Sequence, residues 1–145
     1  HGHPTIRSFD GGGRFPYEAA GALYSALTTL PALESIRLGN RTPRARTEDE
    51  STLANPESLT DLLRVPSLQS ICFDCFSFTL TLCQAIANAL IEGTAATKLE
   101  FHECMFSEEC VTIFANGLNR NTSVISITVA SPYDPCQLLS VALTT

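Results

Sequence analysis

The sequence predicts an α/β protein built from stacked strand–helix units, and three observations carry that expectation. First, the chain is self-similar. Phe78 to Ala96 slides onto Phe106 to Val124 at a shift of 28 residues, matching Phe78 with Phe106, Ile86 with Phe114, Ala87 with Ala115, Asn88 with Asn116, Leu90 with Leu118 and Thr94 with Thr122. Second, apolar triplets recur at relative positions one, four and six: Leu68, Ile71, Phe73, then Ala96, Leu99, Phe101, then Val124, Ile127, Val129. The alternation at the end of each triplet is that of a short, half-buried strand. Third, a turn and an apolar stripe at helical spacing follow each triplet, as in Cys110, Ile113, Phe114 and Leu118.

The elements follow in chain order. Asp10-Gly11-Gly12-Gly13-Arg14 is expected to turn the chain from a first strand into a helix beginning near Tyr17. Phe15, Leu23 and Leu27 then stand where Phe106, Phe114 and Leu118 stand later, and Leu33, Ile36 and Leu38 form the next triplet. The step from that triplet to the following one is 35 residues, and the surplus is assigned to a polar surface insertion at 41–52. Arg41, Arg44 and Arg46 there are followed by Glu48, Asp49 and Glu50, a self-cancelling charge pattern that suits a surface loop or a contact loop. The expected units are one domain over 1–145 of about four repeats, near 5–32, 33–67, 68–95 and 96–123, with a partial unit at 124–145. The segment 137–145 reads as a helix cut short, so a piece of a longer polypeptide is expected. One strand and one helix cannot bury an apolar face alone, whereas stacked copies share a core. Helices are wider than the roughly 4.8 Å strand spacing, so the stack is expected to bend with its strands inside. The expected product is a solenoid: a right-handed β-α superhelix, a horseshoe arc with a parallel sheet on the concave side and helices on the convex side.

Composition bounds the function classes. The chain has 145 residues, 44% of them hydrophobic and 17% charged, below the roughly 25% charged of an average soluble protein, which excludes a disordered chain. The richest apolar segment, Leu80 to Ile91, is broken by Gln84 and Asn88 and is too short for a membrane span. A formal charge of −6 argues against a protein that grips phosphate backbones, so neither a membrane nor a nucleic acid is the expected partner. Six cysteines are too few for a small disulfide scaffold and favour a reducing, intracellular setting. Sequons occur at Asn40-Arg41-Thr42 and Asn121-Thr122-Ser123, a pattern permissive enough to arise by chance.

The block from Ala115 to Val129 resembles the leucine-rich repeat of the ribonuclease-inhibitor type, which is also found in NOD-like receptors and in the Ran GTPase-activating protein. Ala115, Leu118, Asn121, Val124, Ile127 and Val129 match its pattern, and Leu99, Phe101 and Cys104 match in the preceding copy. Pro132 and Phe76 depart from the Cys or Asn of the pattern, and Gly93 stands where Asn121 stands. The resemblance implies a buried turn position for Cys104, an intracellular and cytoplasmic location, and a role in protein recognition.

Candidate chemistry is sparse. Cys72-Phe73-Asp74-Cys75 is a C-x-x-C, but the register puts Cys72 on a strand, away from the helix N-terminus that activates such thiols. A zinc site needs a second pair at matching spacing. Glu100, His102, Glu103 and Cys104 lie one repeat along, so a mixed set is conceivable, although structural thiols are the simpler reading and no metal is assigned. The glycine run at Gly11–Gly13 is no phosphate-binding loop, no Ser/His/Asp set can be assembled, and neither a cofactor nor a catalyst is expected. What remains is the outward sheet face. Its expected row includes Ser35, Arg37 and Asn40, then Ser70, Cys72 and Asp74, then Lys98, Glu100 and His102, then Ser126 and Thr128. Arg37, Asn40, Asp74, Lys98, Glu100, His102, Ser126 and Thr128 are the expected binding surface of a non-catalytic module for a protein partner. The alternatives are a regulator of a small GTPase, resembling the Ran activator, an F-box-like substrate receptor, and a thiol redox protein using Cys72 and Cys75. The terminal strands lack an obvious polar cap, so edge-to-edge self-association of the isolated piece is also expected.

Overall fold

The computed structural model describes residues 5–11, 17–39, 56–74, 78–104 and 107–130. Strands and helices alternate: β1 (Ser8–Gly11), α1 (Tyr17–Thr28), β2 (Ser35–Gly39), α2 (Pro56–Leu63), β3 (Ser70–Asp74), α3 (Leu80–Glu92), β4 (Lys98–His102), α4 (Glu108–Arg120) and β5 (Ser126–Ala130). The five strands form one sheet in sequence order, β1-β2-β3-β4-β5, and every neighbouring pair is parallel. The expected α/β class with a parallel sheet is therefore what the chain adopts. The insertion at 41–52, Asn40, Cys75, Phe15, Phe106 and the segment 137–145 lie outside the described residues.

The register brings equivalent residues of the triplets side by side. Ile36, Ile71, Leu99 and Ile127 are successive partners, as are Leu38, Phe73, Phe101 and Val129. Leu33, Leu68 and Ala96, at the first triplet position, are fully buried one below the next. Above them the same backbone joint recurs. The Arg7 carbonyl accepts from the amides of Glu34 and Ser35, Glu34 from Gln69 and Ser70, Gln69 from Thr97 and Lys98, and Thr97 from Ile125 and Ser126. One carbonyl thus holds two amides of the next unit at each strand entrance, which sets the register before the strand begins.

The helices pack in the same succession, α1 on α2, α2 on α3 and α3 on α4, and their apolar stripes join the sheet residues in one continuous core. Capping explains where α3 and α4 start. Thr79 Oγ1 accepts from the Leu82 amide and Ser107 Oγ from the Cys110 amide, both at 3.2 Å, the same joint one unit apart. Glu108 and Glu109 in the first turn of α4, and Arg120 in its last, complement the helix dipole. Gly93 ends α3 at φ 113°, a conformation that glycine adopts without strain.

Two features fix how closely neighbouring elements pack. Phe73 and Phe101 stack at 5.6 Å between β3 and β4, while Phe78 meets Phe73, Phe101 and Phe114 edge-on at 5.3–6.0 Å, arrangements that aromatic quadrupoles favour. Gly117 of α4 lies so close to α3 that a Cβ there would stand 3.0 Å from Ala87 Cα and 3.2 Å from the Ala87 carbonyl oxygen. Backbone cannot yield as a side-chain tip can, so Gly117→Val is expected to lower the unfolding free energy by about 1–3 kcal/mol in a denaturant titration. Leu99→Asp buries an uncompensated charge in the shared core and is expected to abolish cooperative melting, monitored by circular dichroism.

Candidate functional site

Strand alternation turns every second residue away from the helices, and the register lines these residues up. Asp10, Arg37, Cys72, Glu100 and Thr128 are successive neighbours across the five strands. Ser8, Ser35, Ser70, Lys98 and Ser126 form a second row, and Gly39, Asp74, His102 and Ala130 a third. Ser126 and Thr128 are exposed, Lys98 is 47% exposed, Arg37 43% and Glu100 24%.

Two of the expected surface residues depart from expectation. Asp74 and Cys72 occupy the outward register, yet Asp74 is 2% exposed and Cys72 8%. β3 is the middle strand, so longer side chains from β2 and β4 reach over both positions. Arg37 Nη2 donates to Asp74 Oδ2 at 2.8 Å, and Glu100 is the cross-strand partner of Cys72. Asp74 is consequently an internal anion that holds Arg37, not a group displayed to a partner. The hydrogen bond and charge of Asp74 push the Arg37 pKa further up, which keeps the guanidinium charged at every accessible pH. On β4, Lys98 Nζ lies 3.2 Å from Glu100 Oε1, and outside the sheet Arg64 pairs with Glu92 between neighbouring units.

Cys72, Glu100 and His102 converge. A ligand atom from each lies within 4.8 Å of the others, although the residues come from two strands and two register positions. His102 Nε2 is buried and has no hydrogen-bond partner, and Arg37 Nε is in the same condition. Sequence reasoning named all three residues and the chance of a mixed set but found no fixed spacing to support one. The signal was there in the strand pairing: a cross-strand pair plus the residue two places along one strand always share a face.

Burial pushes the Cys72 thiol up to about 11, with Glu100 reinforcing the shift. Cys72 is therefore protonated at neutral pH, without the lowered pKa that marks an activated thiol. Cys75 lies outside the described residues. The other described cysteines serve the core. Cys104 is fully buried, as the resemblance implied, and its Sγ donates to the Phe73 carbonyl at 3.3 Å. Cys83 is pushed up because it donates to Cys110 and because it is buried, and Cys110 Sγ lies 3.5 Å from the Phe78 carbonyl that accepts from it. All four are free thiols.

Asn121 makes a polar joint outside the sheet. Its Nδ2 donates to the Leu90 carbonyl at 2.9 Å, while its Oδ1 accepts from the amides of Ser123 and Val124. One side chain therefore ties the end of α3 to the turn after α4. Its amide nitrogen, the atom a sequon would modify, already holds the preceding unit at Leu90.

Comparison with protein-family models and with curated proteins finds no match for this chain. No helix among the described residues is long and apolar enough to cross a membrane.

Removing the Asn121 side chain leaves the Leu90 carbonyl and two amides without their partner, so Asn121→Ala is expected to cost about 1–3 kcal/mol in chemical denaturation. Cys72 and Tyr24, the latter raised to about 12 by burial, both bind their protons more tightly in the folded state than in the unfolded chain. Their contribution is therefore intact below about pH 9 and is lost as pH rises through 9 to 12. A melting temperature that falls across that window, together with Cys72 alkylation that is slow at pH 7 and accelerates towards pH 11 in site-resolved mass spectrometry, is the expected result.

Proposed function

We propose that this chain is a leucine-rich-repeat solenoid of the ribonuclease-inhibitor type, acting as a non-catalytic module that binds a protein through its open sheet face. The reading is supported by joints that recur unit after unit: the carbonyl that holds two amides at Arg7, Glu34, Gln69 and Thr97, and the Thr79 and Ser107 caps. In-order parallel strands with one helix layer are what such a solenoid requires. The observation that carries the binding role is the outward set of mixed sign, with Lys98, Ser126 and Thr128 exposed and Arg37 and Glu100 partly exposed, held on strands that share a core. Strand-borne groups lose little freedom on binding, because folding has already ordered their backbones. Mixed charge favours register-specific pairing over bulk attraction. The free thiols fit the intracellular setting that goes with this family.

Size sets the expected strength. Four intervals of about 4.8 Å and five-residue strands give a face of roughly 19 by 17 Å, on the order of 300 Å². A stable complex takes about 800 Å² from each partner, so this face alone suits a transient complex.

A photo-crosslinking residue at Thr128 tests the role against one at Asn116, which is exposed on α4. In host cells, adducts are expected from Thr128 only, and the pair Lys98→Glu and Ser126→Arg is expected to remove them while the melting temperature stays the same. Equal adducts from Asn116, or adducts indifferent to the charge changes, would rule out the sheet face as the binding surface.

A further inference from the structure

We propose that Cys72, Glu100 and His102 form a binding site for a divalent transition ion of the zinc class on the outward face of β3 and β4. The proposal goes beyond the protein-binding role and does not rest on it. Three donors of different chemistry, a sulfur, a carboxylate oxygen and an imidazole nitrogen, lie within 4.8 Å of one another. Zinc bonds of about 2.0–2.3 Å in tetrahedral geometry separate neighbouring donors by about 3.5 Å. Side-chain rotations that draw each donor in by about 1 Å therefore complete three of the four positions. Water takes the fourth, on the side away from the sheet.

Two further observations point the same way. The buried Nε2 of His102 lacks any hydrogen-bond partner, an unusual condition for a buried imidazole nitrogen and one that an ion bound at Nε2 would relieve. The neighbouring cations are also already engaged. Arg37 is held by Asp74, and Lys98 lies on Oε1 of Glu100, which leaves the second carboxylate oxygen for an ion. A sulfur and nitrogen donor set disfavours calcium and magnesium, which take oxygen ligands, and suits zinc or cobalt. On binding, the Cys72 S–H bond breaks, its proton leaves to bulk water, and the sulfur electron pair bonds to the ion. The thiolate and the Glu100 carboxylate then bring two negative charges to the ion, with Lys98 remaining on Glu100 Oε1.

The test is a cobalt titration of the purified, reduced chain, because a thiolate bound to Co²⁺ gives a near-ultraviolet charge-transfer band. The expected result is a band that saturates at one equivalent and that Zn²⁺ displaces. Cys72→Ser should remove the band. Glu100→Gln and His102→Gln sit at half-buried positions where metal-free melting should persist, and each should weaken Co²⁺ binding roughly 10–100-fold. These two variants decide the matter if Cys72→Ser does not fold. No band in the parent chain, a band undiminished in Cys72→Ser, or unchanged affinity in both Gln variants would overturn the site. Loss of the crosslinking pattern above, with the cobalt band intact, would count against the partner role alone.

Discussion

Each unit of this chain is too small to stand by itself, and the burial of one sheet face beneath four helices depends on its neighbours. Leu33, Leu68 and Ala96, at equivalent places in successive units, are all fully buried. Removing about 25 cal/mol of unfavourable hydration per Å² of apolar surface requires the next unit to be in register. The paired amides at each strand entrance enforce that register, and the Phe73–Phe101 stack with Phe78 and Phe114 fills the space that it creates. Stability is accordingly a property of interfaces between units, and a fault such as a side chain at Gly117 acts on two units at once.

The same constraint makes the outward face usable. Once one side of the strands is committed to the core, the pleat leaves the other side free of packing duties and fixes its spacing. Arg37, Cys72, Glu100 and Thr128 are neighbours because Ile36, Ile71, Leu99 and Ile127 are neighbours one residue earlier. A central strand nevertheless differs from an outer one. β3 lies under side chains from both flanks, which turns Asp74 into the buried anion of an ion pair and Cys72 into a shielded thiol. In the proposed function the periphery of the face meets a partner; the separately proposed zinc-class site lies in its middle, on β3 and β4.

Much of this was legible in the residues, because periodicity depends on spacing that any stacked arrangement must respect. The apolar triplets and the parallel α/β class follow from which positions can be apolar at once, and the helix near Tyr17 from the glycine turn before it, while the Cys104 turn was implied by the resemblance to a repeat family. The burial of Asp74 was not legible. A carboxylate at an outward position is displayed or hidden according to the length and charge of side chains on other strands, here Arg37, thirty-seven residues earlier. Nor did local sequence reveal that Asn121 reaches the Leu90 carbonyl, since that bond spans 31 residues.

By itself, then, the chain's pattern of apolar spacing determined which face each strand buries, where helices alternate with strands and which residues share a row. Tertiary structure alone decided which members of that row see water, which pair with one another, and that a thiol, a carboxylate and an imidazole meet within 4.8 Å. The division has a physical origin. Burying an apolar stripe is a local demand that each segment makes through its own periodicity, whereas exposure and electrostatic pairing depend on distances between segments, which exist only once the units have stacked.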